Sequence, residues 1–271
     1  MTKNIRLLVS SVADRAELRG SESHSSVSNL QKTSKGLLWR TASLPARISG
    51  TLAEYEAINS VVLANTTMSD RASVRVQLFQ GETPVYDSGA VPYGVLVPAG
   101  VWAAGIDPWG AFYGSRMPPP IAKIWLPATY YADKFTITID DPGTLDGVID
   151  VGRLFVGQYI SPEINFSYGA KLSFRDTSKH RLTQAGVSTK RGTIQRVFTC
   201  NLEVLTHSDR RELELELAMA GKWADIFLCA YPEEGGFTEV VHTFLARREN
   251  DFAATHIGLD TWRSDLTLIE V

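Results

Sequence analysis

The side chains that could do chemistry in this chain are few and scattered. Asp87-Ser88 ends an extended run, and a serine nucleophile would need a histidine oriented beside it. The histidines are His24, His180, His207, His242 and His256, and none lies in a recognisable pattern. No G-x-S-x-G surrounds any serine. Asp-Ser-Gly at a strand end has a simpler use: Asp and Ser bond nearby backbone amides, and Gly89 takes a positive φ. The acidic pairs Asp140-Asp141 and Glu233-Glu234 make poor acid–base couples, because neighbours in a strand point to opposite faces and both pairs abut turns. Glu212, Glu214 and Glu216 read as the solvated side of a helix rather than a metal site. Cys200 and Cys229 sit in apolar, strand-like runs and read as buried, reduced thiols; close Cys/His pairs for zinc are missing. No Gly-rich loop opens a helix, so no phosphate cradle is expected. The expectation is a protein that is not an enzyme and uses no metal or cofactor.

Two stretches could bind rather than react. In "GVWAAGIDPWGAFYGSRMPPP", Trp102, Trp109, Phe112 and Tyr113 are spaced by Gly and Pro. Flat aromatic faces of this kind serve as a sugar-stacking or protein-docking platform, or as a lid packed on its own domain. The polar segment 178–193 carries Lys179, Arg181, Lys190 and Arg191. It reads either as a contact loop for a neighbouring subunit or as a solvated loop.

These segments must be held by a scaffold, and the composition says of what kind. The 271 residues are 44% hydrophobic, enough for a substantial core, with a net charge of −3. Neither half of the chain is basic, so neither nucleic acid nor an anionic membrane is an expected partner. No apolar run is long enough to cross a bilayer, and the first twenty residues do not read as a signal peptide. Synthesis in a reducing cytoplasm is expected.

The elements read mostly as strands. Ile5–Val9 opens the chain, and a Ser-rich polar stretch follows. Val61-Val62-Leu63 suits a strand buried on both faces. Val74, Val76 and Leu78 alternate with Arg75 and Gln77, the mark of a half-buried strand, which turns at Gly81–Pro84 and returns through Val85-Tyr86. Further strands are expected at 122–126, 134–139, 152–159, 193–205, 225–231, 239–246 and 264–271, with 181–192 as a loop. One helix is expected in "THSDRRELELELAMAGKW". There Ser208 or Asp209 caps, Asp209 with Glu212 has capping-box spacing, and Gly221 terminates, although Leu213, Leu215 and Leu217 alternate as a strand would. The pattern predicts a mainly β chain of sandwich or jelly-roll type.

Three ordered pieces carry a resemblance: "LLWRTASLPARISGTL", "INSVVLANTTMSDRASVRVQLFQGETPVYDSG" and "GVIDVGRLFVGQYISPEINFSYG". They resemble tail proteins of long-tailed, siphovirus-type bacteriophages, over most of residues 36–170. In that group a Trp-Arg pair precedes a galactose-binding-like β-sandwich, a hairpin closes on Tyr-Asp-Ser-Gly, and a "G-R-L-F-x-G" strand leads into the next domain. The C-terminal part, with its terminal strand Trp262 to Val271, is similar to the ring-forming domains of tail tubes and distal-tail proteins. The resemblance implies three parts: a strand and polar loop at 1–35, a jelly-roll or galactose-binding-like sandwich at 36–158, and a tail-tube-like β-sandwich with one flanking helix at 159–271. It implies a distal-tail or baseplate ring, a hexamer, in the virion tail, joining tube to tip hub or fibres. The better-known distal-tail proteins place the ring domain first; here the order is reversed. The alternative is a carbohydrate-binding adsorption protein that holds a host glycan through the aromatic segment. A hydrolase of cell-wall or capsule sugar is the third reading.

Overall fold

The structure, a computed structural model, describes residues 3–93, 121–183 and 186–271. In chain order the first strands are β1 (Arg6–Leu8), β2 (Glu17–Gly20), β3 (Trp39–Arg40), β4 (Ala46–Thr66), β5 (Ser73–Gln80), β6 (Thr83–Asp87), β7 (Val91–Pro92), β8 (Ala122–Asp140) and β9 (Asp150–Gly157). Then follow β10 (Lys171–Asp176), β11 (Lys179–Thr183), β12 (Gly186–Lys190), β13 (Ile194–Leu205), α1 (His207–Ala220), β14 (Ile226–Cys229), α2 (Gly236–Val241), β15 (Thr243–Arg248), β16 (Thr255–Gly258) and β17 (Thr261–Glu270). The chain is mainly β, with two helices among the described residues.

Strands β2 to β9 form an eight-stranded sheet folded over on itself, in the order β3-β9-β4-β8-β5-β6, with β2 on β4 and β7 on β5. The 21-residue β4 and the 19-residue β8 run through both of its layers. Their register shifts between Thr51 and Glu56 and between Ile58 and Ser60 supply the bends. The sequence pattern predicts two strands in 122–139; one forms, because Pro127 falls in the second irregularity, where its missing N–H breaks no ladder bond. Val76, Leu78, Ile48, Phe135 and Ile137 fill the core between the layers.

The C-terminal sheet has the order β1-β14-β15-β17-β13-β10, with β16 on β17. The first strand of the chain thus completes the last sheet, while Val12, Ala13 and Leu30 pack into the first core. Leu213 and Leu217 of α1 close one face of the C-terminal core. Its N-cap is Thr206, not Ser208 or Asp209: Thr206 Oγ1 accepts from the Asp209 amide at 3.2 Å, and the Asp209 carboxylate accepts from the Thr206 amide at 3.3 Å. Asp209 is the partner that closes the box rather than its start. Gly221 ends the helix at φ +65. A second correction concerns Glu239, which was expected to begin a strand. It sits in α2, and its carboxylate accepts from the Gly235 amide at 2.7 Å, closing a single helical turn before β15 begins.

The two sheets meet on a third core. Val62 and Ala64 of β4 and Phe155 of β9 pack against Leu8, Phe227, Cys229 and Leu245. Their strand neighbours Val61, Leu63, Leu154 and Val156 face the first core instead, while Ile226 and Leu228 face the second. This is why "VVLA", "LFV" and "IFLC" are continuously apolar: each strand is covered on both faces.

Candidate assembly surface

Strands β10 and β13 pair from Lys171↔Thr199 to Asp176↔Ile194 and carry an extension beyond the core. At the joint, the Thr177 amide donates to Thr193 O at 3.0 Å, and the Gly192 amide donates to Ser178 Oγ at 2.8 Å. A Cβ on Gly192 would lie 2.4 Å from the Thr177 carbonyl carbon, so only glycine fits this crossing. Past the joint, residues expected to form a loop make a separate two-stranded ribbon, β11 with β12. Cross-strand pairing and β-branched Val187 and Thr189 outweigh the polar composition that suggested a loop.

The register gives this arm two faces. Lys179 pairs with Lys190 and Arg181 with Ser188, which places Lys179, Arg181 and Lys190 on one side. His180 pairs with Thr189 and Leu182 with Val187 on the other. Leu182 is 85% exposed and Val187 65%. At the root, Phe174 and Ile194 continue the core-facing side of the sheet past the point where the core ends, and both are exposed. Arg191 follows the ribbon directly. The four cations of the segment are therefore placed together on one projecting hairpin.

A second surface was missed at the sequence level. Leu215 and Met219 of α1 and Trp223 just beyond it are exposed at 58, 78 and 70%. Leu215 and Met219 lie on the side of α1 opposite Leu213 and Leu217. Glu212 and Glu216 flank them. Burial, then the carboxylates of Asp209 and Glu216, push the Glu212 carboxyl above its ordinary value. The signal was present in the Leu-Glu alternation: a helix with Leu at 213, 215 and 217 must turn Leu215 away from its own core.

The groups that could have been reactive have other employment. Ser88 Oγ accepts from the Val76 amide at 2.9 Å, and the Gly89 amide donates to Asp87 at 2.9 Å. The Arg75 guanidinium bonds the Asp87 carboxylate and holds its pKa well below the usual carboxylate range. Asp141 accepts from the Ser69 and Gly143 amides, at 2.7 and 3.0 Å. Glu233 pairs with Lys3 and Arg6. Cys200 and Cys229 are free and buried, and burial pushes their thiols up to about 12 and about 11. Trp102, Trp109, Phe112 and Tyr113 lie outside the described residues. Among the described residues, Tyr55 and Tyr131 are exposed aromatics on the sandwich. Tyr131 pairs with Ala57, and Tyr55 lies two residues before Ala57 in the irregular part of the ribbon.

No family model and no curated protein matches the chain. Solved domains are similar to part of it. The family 32 carbohydrate-binding module of C. perfringens NanJ, in complex with galactose, is 13% identical with a TM-score of 0.37, over 55% of this chain and 97% of that one. Chitosan-binding module 1 from a Paenibacillus sp. IK-5 chitosanase/glucanase is 16% identical with a TM-score of 0.38, over 55% and 99%. The lectin domain of lectinolysin, complexed with Lewis B antigen, is 10% identical with a TM-score of 0.39, over 55% and 96%. None of these three is a phage tail protein.

Proposed function

We propose that this chain is a structural subunit that assembles with copies of itself, as a ring at the distal end of a long-tailed bacteriophage tail, and that it performs no catalysis. The observation that carries the reading is the β11–β12 arm. A two-stranded ribbon alone is marginally stable in water, and this one exposes Leu182 and Val187 with Phe174 and Ile194 at its root. Such an element gains its stability from a partner surface. The resemblance of residues 36–170 to tail proteins supplies the setting, with the C-terminal sheet forming the ring and the sandwich turned outward. Light scattering and negative-stain images of the purified chain test it. Closed rings support the reading, and their loss on replacing 179–190 by a short Gly-Ser turn ties them to the arm. A chain that stays monomeric at every concentration and is missing from purified virions overturns it.

A second reading rests on Tyr55 and Tyr131, two exposed rings bordered by Glu54, the mix of flat face and carboxylate that suits a sugar. In this reading the chain is a carbohydrate-binding adsorption protein. Glycan-array binding that disappears in Tyr131→Ala, or in Trp102→Ala and Trp109→Ala, supports it; a blank array removes it.

A further inference from the structure

The net charge of −3 conceals a local excess of the opposite sign. The chain has no carboxylate between Asp176 and Glu203, whereas Lys179, Arg181, Lys190 and Arg191 fall on the β11–β12 arm and its return. Asp176 precedes the joint. Bonds from Ser178 hold its carboxyl below the ordinary value, and His180 and Arg191 act in the same direction. Arg191 therefore has a carboxylate near it. Lys179, Arg181 and Lys190 have no ion-pair partner among the described residues.

The pairing brings these three cations together. Lys179 stands directly opposite Lys190, and Arg181 is the next residue on that face, about 6.6 Å along the strand. Like charges directly opposite one another destabilise a β pair. A two-stranded ribbon is marginal in water to begin with, and this one carries a repulsion at its base that no described carboxylate relieves. An anion held between the two ammonium groups removes it. The remaining described side chain of the face is Ser188, a further donor. Leu182 and Val187 belong to the opposite face. The described side chains of the cationic face thus include nothing apolar to insert into a bilayer and no aromatic ring to stack on a base. They suit phosphate groups met in water.

A two-stranded ribbon has the width to enter the major groove of a duplex, where its long cationic side chains reach the backbone phosphates on either side. We infer that the Lys179–Arg181–Lys190 face of the arm binds the phosphodiester backbone of duplex nucleic acid, without reading its sequence. The inference goes beyond the assembly reading and rests on it only in using the face that assembly leaves free: subunits meet through Leu182 and Val187, and phosphates through the cations. A monomer presents the same cationic face.

Fluorescence anisotropy of two labelled DNA duplexes of unrelated sequence, titrated with the full chain, tests it. Equal affinity for both is expected. With a log–log salt slope of about −0.9 per phosphate contact, three contacts weaken binding about 40-fold between about 50 and 200 mM salt. Lys190→Gln is expected to reduce that slope by about 0.9, and Lys179→Gln/Arg181→Gln/Lys190→Gln to abolish the salt-dependent binding. All three side chains are exposed, so the variants are expected to melt as the native chain does. Absence of duplex binding at low salt, or equal binding by the triple variant, overturns the inference. Phosphatidylglycerol vesicles form a second arm. A native chain that binds the vesicles, ignores the duplexes and loses the vesicles in Leu182→Ser/Val187→Ser overturns it in favour of a lipid surface. Sedimentation keeps the two readings apart. The triple variant is expected to associate as the native chain does, because its apolar face is intact. A chain that binds duplex and never associates supports this inference and overturns only the assembly reading.

Discussion

Lys123 of β8 and Glu239 of α2 meet at 3.0 Å across the boundary between the two sheets, with only 12 and 8% of their side chains exposed. The second carboxylate oxygen of Glu239 accepts from the Gly235 amide. One carboxylate thus caps a helix turn and binds the sandwich to the C-terminal sheet. Near it, the Arg6 guanidinium stacks on Trp125 and Tyr159 at 4.5 and 4.6 Å and bonds Glu233 at 2.9 Å. With the apolar third core beneath, these contacts join the two halves into one body.

Removing one partner of that ion pair leaves a buried charge alone. Glu239→Gln is expected to destabilise the chain by about 3–5 kcal/mol, the range for breaking a buried pair, while Lys123→Met/Glu239→Leu recovers most of the loss. Denaturant unfolding of the three proteins measures it. A loss under about 1 kcal/mol for Glu239→Gln would show that water reaches the pair.

Val76→Asp places an unpaired carboxylate in the first core, where Val76 is fully buried between the layers. A loss of several kcal/mol is expected. Because the second core does not include Val76, the near-ultraviolet signal of Trp262 is predicted to persist after the sandwich signal has melted. An unchanged melt would count against the packing of β5.

Much of this architecture is legible in the sequence. The alternation at Val74, Val76 and Leu78 gave the right buried face, and Val61-Val62-Leu63 read as doubly covered because it is. Features that depend on distant partners were not legible. β2 is a polar strand that forms only because residues 17–20 find β4 at 48–51. The 181–192 segment is polar and becomes a ribbon through cross-strand pairs. β1 crosses the whole chain to pair with β14, and nothing local in Arg6–Leu8 marks that destination. The site followed the same rule. The cations of the arm were visible as a cluster, whereas the α1 surface needed knowledge of which leucines face inward.

Gly50 sits beneath the ring of Phe135, and a Cβ there would lie 2.1 Å from the ring's outer carbon. Gly50→Ala is therefore expected to cost about 1–3 kcal/mol by overpacking. Adding Phe135→Leu opens space, so the double variant is predicted to be less destabilised than the sum of the singles, a coupling that a double-mutant cycle reads directly. Strict additivity would mean that the ring swings clear without strain.

The thiols provide a probe of opening. Cys200 and Cys229 are buried, and burial holds both as protonated thiols at neutral and mildly alkaline pH. Neither is expected to react with a thiol reagent in the folded chain at pH 8, and both react once denaturant unfolds it. Fast labelling of Cys229 alone would show that the two sheets separate at the third core without global unfolding.

Acid is expected to weaken the C-terminal sheet through Glu270. Burial raises its carboxyl, but Arg196 donates to it from Nη2 at 2.6 Å, from Nε at 3.0 Å and from its backbone amide at 2.9 Å, and the net effect is a lowered pKa. A folded-state value below the unfolded one contributes stability that is present above the unfolded pKa, about 4.3 for Glu, and is lost as pH falls through the folded value. Glu233, lowered by Lys3 and Arg6 against its own burial, acts in the same direction. The stability gap between the native chain and Glu270→Gln is therefore predicted to be constant from neutral pH down to about 5.5 and to shrink below about 4.3. Melting curves across that range measure the gap. A gap that widens in acid would mean that the Arg196 bonds do not outweigh the cost of burying the carboxylate.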